Sequence, residues 1–510
     1  MSESYVPQHG GFRRLLLVGV ACALVARHLP AGAVTLPEAL ALTYRNNPAL
    51  AAARSGQRAT DEGVIAAKSA ALPQLSADAS YDEFLRRSSN DPSAPRRQFN
   101  AGLQADLPIY AGGGTAASIA AAKGRVVTGR EGLRATEAQI LVEAATAYMN
   151  VLTDGLIVDF YRQQIGFLEE NIAYARSGFE HGDLTRTDVD QAQTRRESAE
   201  GQYEAAVASL DSSRQDFFRV VGAVPDKLSS PGPLKGLPGD AEQAVQLALE
   251  RNPDLLAARS DANVAEYSVR IAAAQRLPRV QAVASAGYNN YLNSLGGLSA
   301  ALFDQTSRTA TVGIQASLPL YQGGLPAARI REARAIQSQK TDRIEEVERS
   351  VAAQSRSNFF RLEAGRRSIE AASRSIEASE RALKGVRAEL KFGTRTVLDL
   401  LNAEQEVLSA RIQLARAERD TFVTSISLLA VMGQADPESL GLEGASNYDP
   451  SINYNRVKNR YWDYGGGQPP REASPPLLPV SLAVLSMASS SVAGEPQVQE
   501  RLELDPSIFN

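Results

Sequence analysis

Leu107-Pro108-Ile109-Tyr110-Ala111-Gly112-Gly113 and Leu318-Pro319-Leu320-Tyr321-Gln322-Gly323-Gly324 are one phrase written twice, 211 residues apart. The same spacing of 211 holds downstream at Gly182/Gly393, Asp188/Asp399, Ala192/Ala403 and Val221-Gly222/Met432-Gly433. Upstream the spacing is 205, at Asn47-Pro48/Asn252-Pro253 and Leu72-Pro73/Leu277-Pro278. One change of six residues between Pro73 and Leu107 accounts for the shift. Register kept over roughly 175 residues marks a duplicated unit, and a repeat of that size decides the architecture before any local reading.

The spacing places the first repeat at 34–222, a linker at 223–240, the second repeat at 241–433 and a C-terminal segment at 434–510, expected to be largely disordered after 465 from its Pro, Ser and Gly content. Residues 1–33 read as a secretory signal. Arg13-Arg14 precede an apolar run from Leu15 to Val25, too short to span a bilayer, and Ala31-Gly32-Ala33 fits the small-x-small cleavage pattern. The mature start is expected near Val34; a retained anchor is the alternative. Cys22 follows Gly19-Val20-Ala21, a poor lipoprotein box. After cleavage no cysteine remains and His181 is the one histidine, which rules out a Cys/His metal site or a Cys/His nucleophile. A net charge of −4 gives no sign of a nucleic-acid partner.

Proline is absent from the 116 residues between Pro108 and Pro225 and from the 110 between Pro326 and Pro437. Those stretches are rich in Ala, Arg, Glu, Gln and Leu, so they permit very long helices. Leu141, Ala145, Tyr148 and Leu152 step by four, three and four; Leu390, Val397, Leu401, Leu408 and Ile412 step by seven, four, seven and four. That is coiled-coil spacing. Gly182 and Gly393 are the natural breaks, since glycine accepts the left-handed conformation that ends a helix. Long helices are therefore expected at 112–180 and 324–391, roughly 100 Å each at 1.5 Å per residue, with return helices at 186–221 and 396–432. A shorter pair, 36–71 and 241–276, is split at each Asn-Pro. Gly112-Gly113-Gly114 is a strand-to-helix turn: no Lys-Ser/Thr follows to make a phosphate cradle.

After each Leu-Pro the period changes to two. Leu75, Ala77, Ala79 and Tyr81 form one apolar row, and Phe99, Ala101, Leu103, Ala105 and Leu107 a second. Val280, Ala282, Ala284, Ala286 and Tyr288 form a third, and Ala310, Val312, Ile314, Ala316 and Leu318 a fourth. Hairpins at 73–108 and 278–319 follow, with four strands of about nine or ten residues, the length that crosses a membrane when tilted. Tyr81, Phe99 and Tyr288 suit an interfacial aromatic girdle. Four strands cannot close a barrel, and open edges in lipid leave backbone groups unpaired. Membrane hairpins therefore require oligomerisation; two copies give eight strands and three give twelve.

The paired Asn-Pro, the two Leu-Pro, the "LPIYAGG" and "LPLYQGG" phrases and above all "FGTRTVLDLLNAEQ" (Phe392 to Gln405) resemble the TolC family of outer-membrane channels over residues 36–435. "YDPSINYNRVKNRYWDYG" (Tyr448 to Gly465) is similar to the tail of members serving type I secretion. The resemblance implies a mainly α protein whose long coiled-coil helices and two β-hairpins close into a barrel and a helical tunnel by trimerisation. It implies a homotrimer in the outer membrane of a Gram-negative bacterium, contacting lipid and crossing the periplasm. It further implies a gate opened by a periplasmic adaptor and an inner-membrane ABC or proton-driven transporter, with no cofactor and no catalytic centre.

By the same resemblance, Arg395 stands at the gate arginine and Asp399 at the first constriction aspartate. Asp188, after Thr187, matches the aspartate that pairs with the gate arginine, and Gly182 and Gly393 turn the tunnel tip. Asn402 stands where a second ring aspartate is expected, and Leu390 where a tyrosine is expected. A ring of six carboxylates would fall to three, with milder cation block and selectivity. Read from the residues alone, Asp188 and Asp399 are helix-capping charges. The rival reading of the whole chain is a soluble periplasmic coiled-coil scaffold or adaptor, and a hydrolase would need an acid/base or nucleophile constellation that does not stand out.

Overall fold

The computed structural model describes residues 34–86, 95–225, 227–295, 301–442 and 448–464. The signal reading (1–33) with Cys22 and the tail from Gly465 lie outside the described residues. The elements come in two matched series. The first is α1 (Leu36–Asn46), α2 (Pro48–Ser69), β1 (Gln74–Glu83), β2 (Arg97–Ala111), α3 (Gly114–His181) and α4 (Arg186–Val221). The second is α5 (Ala241–Arg251), α6 (Pro253–Ala274), β3 (Arg279–Asn290), β4 (Thr306–Ser317), α7 (Leu325–Lys391) and α8 (Val397–Val431). A last helix, α9, covers Pro450–Val457.

The long helices α3 and α7 run for 68 and 67 residues, as the proline-free stretches require. Each starts at a left-handed glycine, Gly113 or Gly324, and ends beside another, Gly182 or Gly393. The main core lies where α3 and α4 meet α1 and α8. Leu141, Ala144, Ala145 and Tyr148 of α3 pack with Phe217, Val220 and Val221 of α4, Leu36 and Leu40 of α1, and Ile426 of α8. A second cluster joins Ala244 and Ala248 of α5 to Phe359 and Leu362 of α7 and Leu428 of α8. Alanines at these crossings let helix backbones approach closely. The most apolar stretch of α3 passes a membrane-span test by composition, yet 56% of it is buried inside the fold, as in a core helix.

The repeated Asn-Pro has a structural explanation. Asn47 Oδ1 accepts from Ala49 N (2.8 Å) and Leu50 N, capping α2, while its Nδ2 donates to Val220 O (2.9 Å) at the end of α4. Asn252 repeats this: Oδ1 accepts from Leu255 N (3.1 Å) and Nδ2 donates to Val431 O (2.9 Å). One amide thus satisfies the start of one helix and the end of another. Asn252→Ala removes a cap worth about 1 kcal/mol and orphans a carbonyl worth about 1–3 kcal/mol. Asn252→Asp keeps the cap but sets a buried carboxylate oxygen against the Val431 carbonyl, so its thermal midpoint is expected at or below that of Asn252→Ala.

The four strands form one antiparallel sheet in the order β1-β2-β3-β4, with β1 and β4 at the edges. Tyr81 lies opposite Phe99, and Tyr288 opposite Ala101, so the three girdle aromatics gather at one end of the sheet. Strand lengths of 10, 15, 12 and 12 residues exceed most of the expected nine or ten. The alternation in β2 ends at Leu107, but backbone pairing carries the strand to Ala111 through an irregularity between Pro108 and Tyr110. That end of β2 pairs with β3 alone, since β1 reaches only Asp106; Ala111 and Ser317 of β4 both face Arg279, and β2 is longer by its irregularity and by Arg97 and Gln98, which pair with β1. On the polar face, Ser285 and Thr311 hydroxyls meet at 2.7 Å and Gln281 Nε2 donates to Gln315 Oε1 at 3.1 Å. On the other face Leu75, Val312 and Ile314 are 76%, 88% and 74% exposed.

Two connecting segments are held more firmly than their sequence suggests. The Tyr148 hydroxyl donates toward Val34 O (2.8 Å) or Ser229 O (2.6 Å) and accepts from Ser229 N (3.1 Å), pinning the 223–240 segment and Val34 to α3. Burial raises the pKa of that phenol. Helix α9 docks on α2: Asn453 Nδ2 donates to the fully buried Asp61 (Oδ2, 2.8 Å), whose Oδ1 accepts from Gln57 Nε2 (3.1 Å). Arg54 lies over the Tyr448 ring at 5.1 Å and Arg130 over the Tyr454 ring at 5.4 Å. The chain divides into two units at Arg460; beyond it, among the described residues, Trp462 and Tyr464 meet edge-on with centroids 6.0 Å apart.

Candidate gate at the helix turns

Each long helix reverses through a short turn into its return helix. At the first turn, Asp183 N donates to Gly178 O (2.8 Å) and Gly182 has φ 84°. At the second, Thr394 N donates to Glu389 O (3.1 Å) and Gly393 has φ 73°. Positive φ at both is what makes glycine necessary there.

The return helices begin with matched capping boxes. Thr185 N donates to Asp188 Oδ2 (2.9 Å) and Asp188 N donates to Thr185 Oγ1 (3.3 Å). Thr396 N donates to Asp399 Oδ2 (3.0 Å) and Asp399 N donates to Thr396 Oγ1 (3.2 Å). Both aspartates therefore cap helices, as their position after a glycine break suggests. Hydrogen bonds from the Thr396 backbone N–H and then its hydroxyl hold the Asp399 carboxyl below the usual aspartate range, with a smaller contribution from the Arg395 charge. Asp399 stays ionised to lower pH than an ordinary aspartate.

Arg395 is 49% exposed and its Nε donates to Glu389 Oε2 at 2.8 Å, on its own hairpin. Within the single chain this pair, rather than Arg395 with Asp188, is the contact formed. Exposed pairs of this kind contribute about 0–1 kcal/mol. Thr187 is exposed in the first turn of α4. Leu390 packs against Leu383, Leu400, Ala403 and Val407, an apolar role that a tyrosine hydroxyl would not need. Asn402 Oδ1 accepts from Arg195 Nη2 at 3.1 Å.

The second helix pair is joined to the first near these turns. Val397 and Leu401 of α8 bury against Leu168 and Ile172 of α3 and Ala192 and Ala199 of α4. Arg387 of α7 pairs with Glu404 of α8 and lies over the Phe167 ring of α3 at 5.3 Å. Arg195, Arg387, Glu389 and Phe167 carry no sequence signal as a group: they lie on three helices, and of the four only Arg387 has an identical repeat mate, Arg176. Among the described residues, no group of three or more His, Cys, Asp or Glu is placed to hold a metal ion.

The family model for outer membrane efflux proteins matches residues 39–223 and 244–434, one match to each series of elements. The chain belongs to the outer membrane efflux protein family. The outer membrane efflux protein BepC of Brucella suis is 33% identical over 428 residues, covering 84% of this chain and 91% of that protein. The alkaline protease secretion protein AprF of Pseudomonas aeruginosa is 29% identical, covering 62% of this chain and 66% of that protein. The crystal structure of the outer membrane protein VceC from Vibrio cholerae superposes with a TM-score of 0.68 at 21% identity, covering 78% of this chain and 96% of that one. As an outer membrane efflux protein the chain is a TolC-family channel component of the Gram-negative outer membrane, and the family's work is transport.

Proposed function

We infer that three copies of this chain close into a passive exit duct, delivering cargo that an inner-membrane transporter and a periplasmic adaptor bring to the gate. The carrying observation is that the chain contains one complete repeat-to-repeat joint and the two halves of another. β2 pairs with β3, and α6 lies against both α3 and α7. The counterparts are incomplete within one chain: β4 and β1 are bare edges, and α2 rests chiefly on α3 and α9. A neighbouring copy supplies what is missing, because a ring of repeats has no ends. Four strands per chain fall short of the smallest common barrel of about eight, so more than one copy is required.

The internal joint also gives the register of the external one. Ala105 faces Ala284 in the chain. Moving along the repeat by 211 and 205 residues places Ala316 of one copy opposite Ala79 of the next. Both belong to apolar rows, so the inside and outside faces stay continuous. Ala79→Cys with Ala316→Cys, in a Cys22→Ser background, is expected to give a covalent trimer on oxidation. Ala79→Cys with Gln315→Cys, out of phase by one residue, is expected to stay uncrosslinked. Dimers alone, or linkage by the out-of-phase pair, would refute the ring.

The cargo reading favours proteins over small drugs. AprF is named for secretion of a protease, and α9, which opens the stretch resembling tails of type I secretion members, is seated on α2 through Asn453 and Asp61. Export of a co-expressed substrate with its transporter and adaptor tests this; drug resistance without protein export would favour the multidrug reading.

A further inference from the structure

We propose that Arg195 sets the ion selectivity of the channel mouth by cancelling the charge of its narrowest ring. The inference rests on the duct reading and on Asp399 lining the gate. Asp399 and Asn402 are three residues apart on α8 and share a face of that helix. Asn402 is exposed, and its side-chain oxygen is occupied by the Arg195 guanidinium at 3.1 Å, reaching across from α4. Arg195 is exposed as well. A guanidinium brings a permanent positive charge, here beside the residue one turn from the ring carboxylate. Asn402, to which the guanidinium is bonded, stands three residues or about 4.5 Å of helix rise from Asp399, a spacing inside the screening length of physiological salt of about 8 Å.

The neighbouring charges pair among themselves. Arg395 is held by Glu389, Arg196 by Glu169, Glu197 and Glu200, and Arg186 lies near Asp190. Among the described residues Arg195 has no carboxylate within ion-pair distance; its partner is the neutral Asn402. Within the turn that holds Asp399 and Asn402, each chain thus contributes one negative charge from Asp399 and one positive charge from Arg195, with Glu406 one turn farther along the same face of α8. A carboxylate at 402 would leave the ring net negative; asparagine leaves it neutral. The repeat marks the arginine as an addition to one half: 211 residues on from Arg195 stands Glu406, and 211 residues before Asn402 stands Gln191. Rings of fixed charge govern selectivity in pores, and a neutral ring discriminates weakly between cations and anions.

The test is the K⁺/Cl⁻ permeability ratio of the purified oligomer in planar bilayers under a KCl gradient. Wild type is expected within about twofold of unity. Arg195→Gln and Asn402→Asp each add one net negative charge per chain and should each raise the ratio about threefold or more, with the double variant highest. Block by a trivalent cation such as lanthanum should strengthen in the same order. Arg195→Lys keeps the charge and should keep the wild-type ratio, whereas Arg195→Gln retains an amide donor toward Asn402 and loses only the charge. Conducting channels that are strongly cation-selective in wild type, or indifferent to Arg195→Gln, overturn the inference alone. Failure of every variant and wild type to form conducting oligomers overturns the duct reading and this inference with it.

Discussion

Ile314→Arg abolishes recovery of the channel from the outer membrane, while Gln315→Arg on the very next residue is tolerated. Ile314 stands near the middle of β4, opposite Ala282, and is 74% exposed in the single chain. If its row faces lipid, an arginine near the bilayer midplane costs about 2–4 kcal/mol, and the cost recurs in every copy of the ring. Gln315 lies on the opposite face, opposite and bonded to Gln281, where water or lumen accepts a charge. The rival soluble scaffold makes the contrary prediction, since an exposed Ile→Arg change in water stays within about 0.5 kcal/mol. Detergent-resistant oligomer in the outer-membrane fraction is the readout. Wild-type assembly by Ile314→Arg would put the hairpins in water and restore the scaffold reading.

Legibility in the sequence divides along physical lines. Long helices, hairpins and their order were readable, because proline absence, glycine breaks and periods of 3.5 and 2 are backbone constraints imposed at fixed positions. The helix turns at Gly182 and Gly393 were readable for the same reason, and so was the capping use of Asp188 and Asp399. What Asn47 and Asn252 do with their second amide group was not, since Val220 and Val431 lie 173 and 179 residues away. The pairing of exposed charges was also hidden. Arg395 finds Glu389 six residues back across a turn, and Arg195 finds Asn402 207 residues on. Such contacts follow from how two helix pairs are set against each other, and no periodicity encodes that. The docking of α9 was missed because eight residues give too little pattern; its partner Asp61 is legible only once it is seen to be buried.

Gly433→Ala should be far more damaging than the same change at its repeat mate Gly222, although the two glycines serve matching turns after α8 and α4. Both have left-handed backbones, φ 69° and 77°, so alanine at either costs about 1–2 kcal/mol in conformation alone. Space separates them. Around Gly222 the nearest atom to an added Cβ is Asn46 Cβ at 3.9 Å, an ordinary contact. At Gly433 an added Cβ would overlap the Arg251 carbonyl oxygen, which belongs to backbone and cannot rotate away. The neighbourhood is already committed on both sides. Asn252 Nδ2 donates to Val431 O, Gln434 N donates to Leu429 O (2.9 Å), and Met432 is fully buried beside Ala248. Relief therefore means separating the end of α8 from the α5–α6 junction, adding about 1–3 kcal/mol of packing strain. Thermal unfolding followed by helical circular dichroism, together with oligomer yield, should rank wild type above Gly222→Ala and both well above Gly433→Ala. Equal midpoints for the two variants would mean that the junction yields easily, and that the close approach of Arg251 to Gly433 is not what joins the return helix to the second short pair.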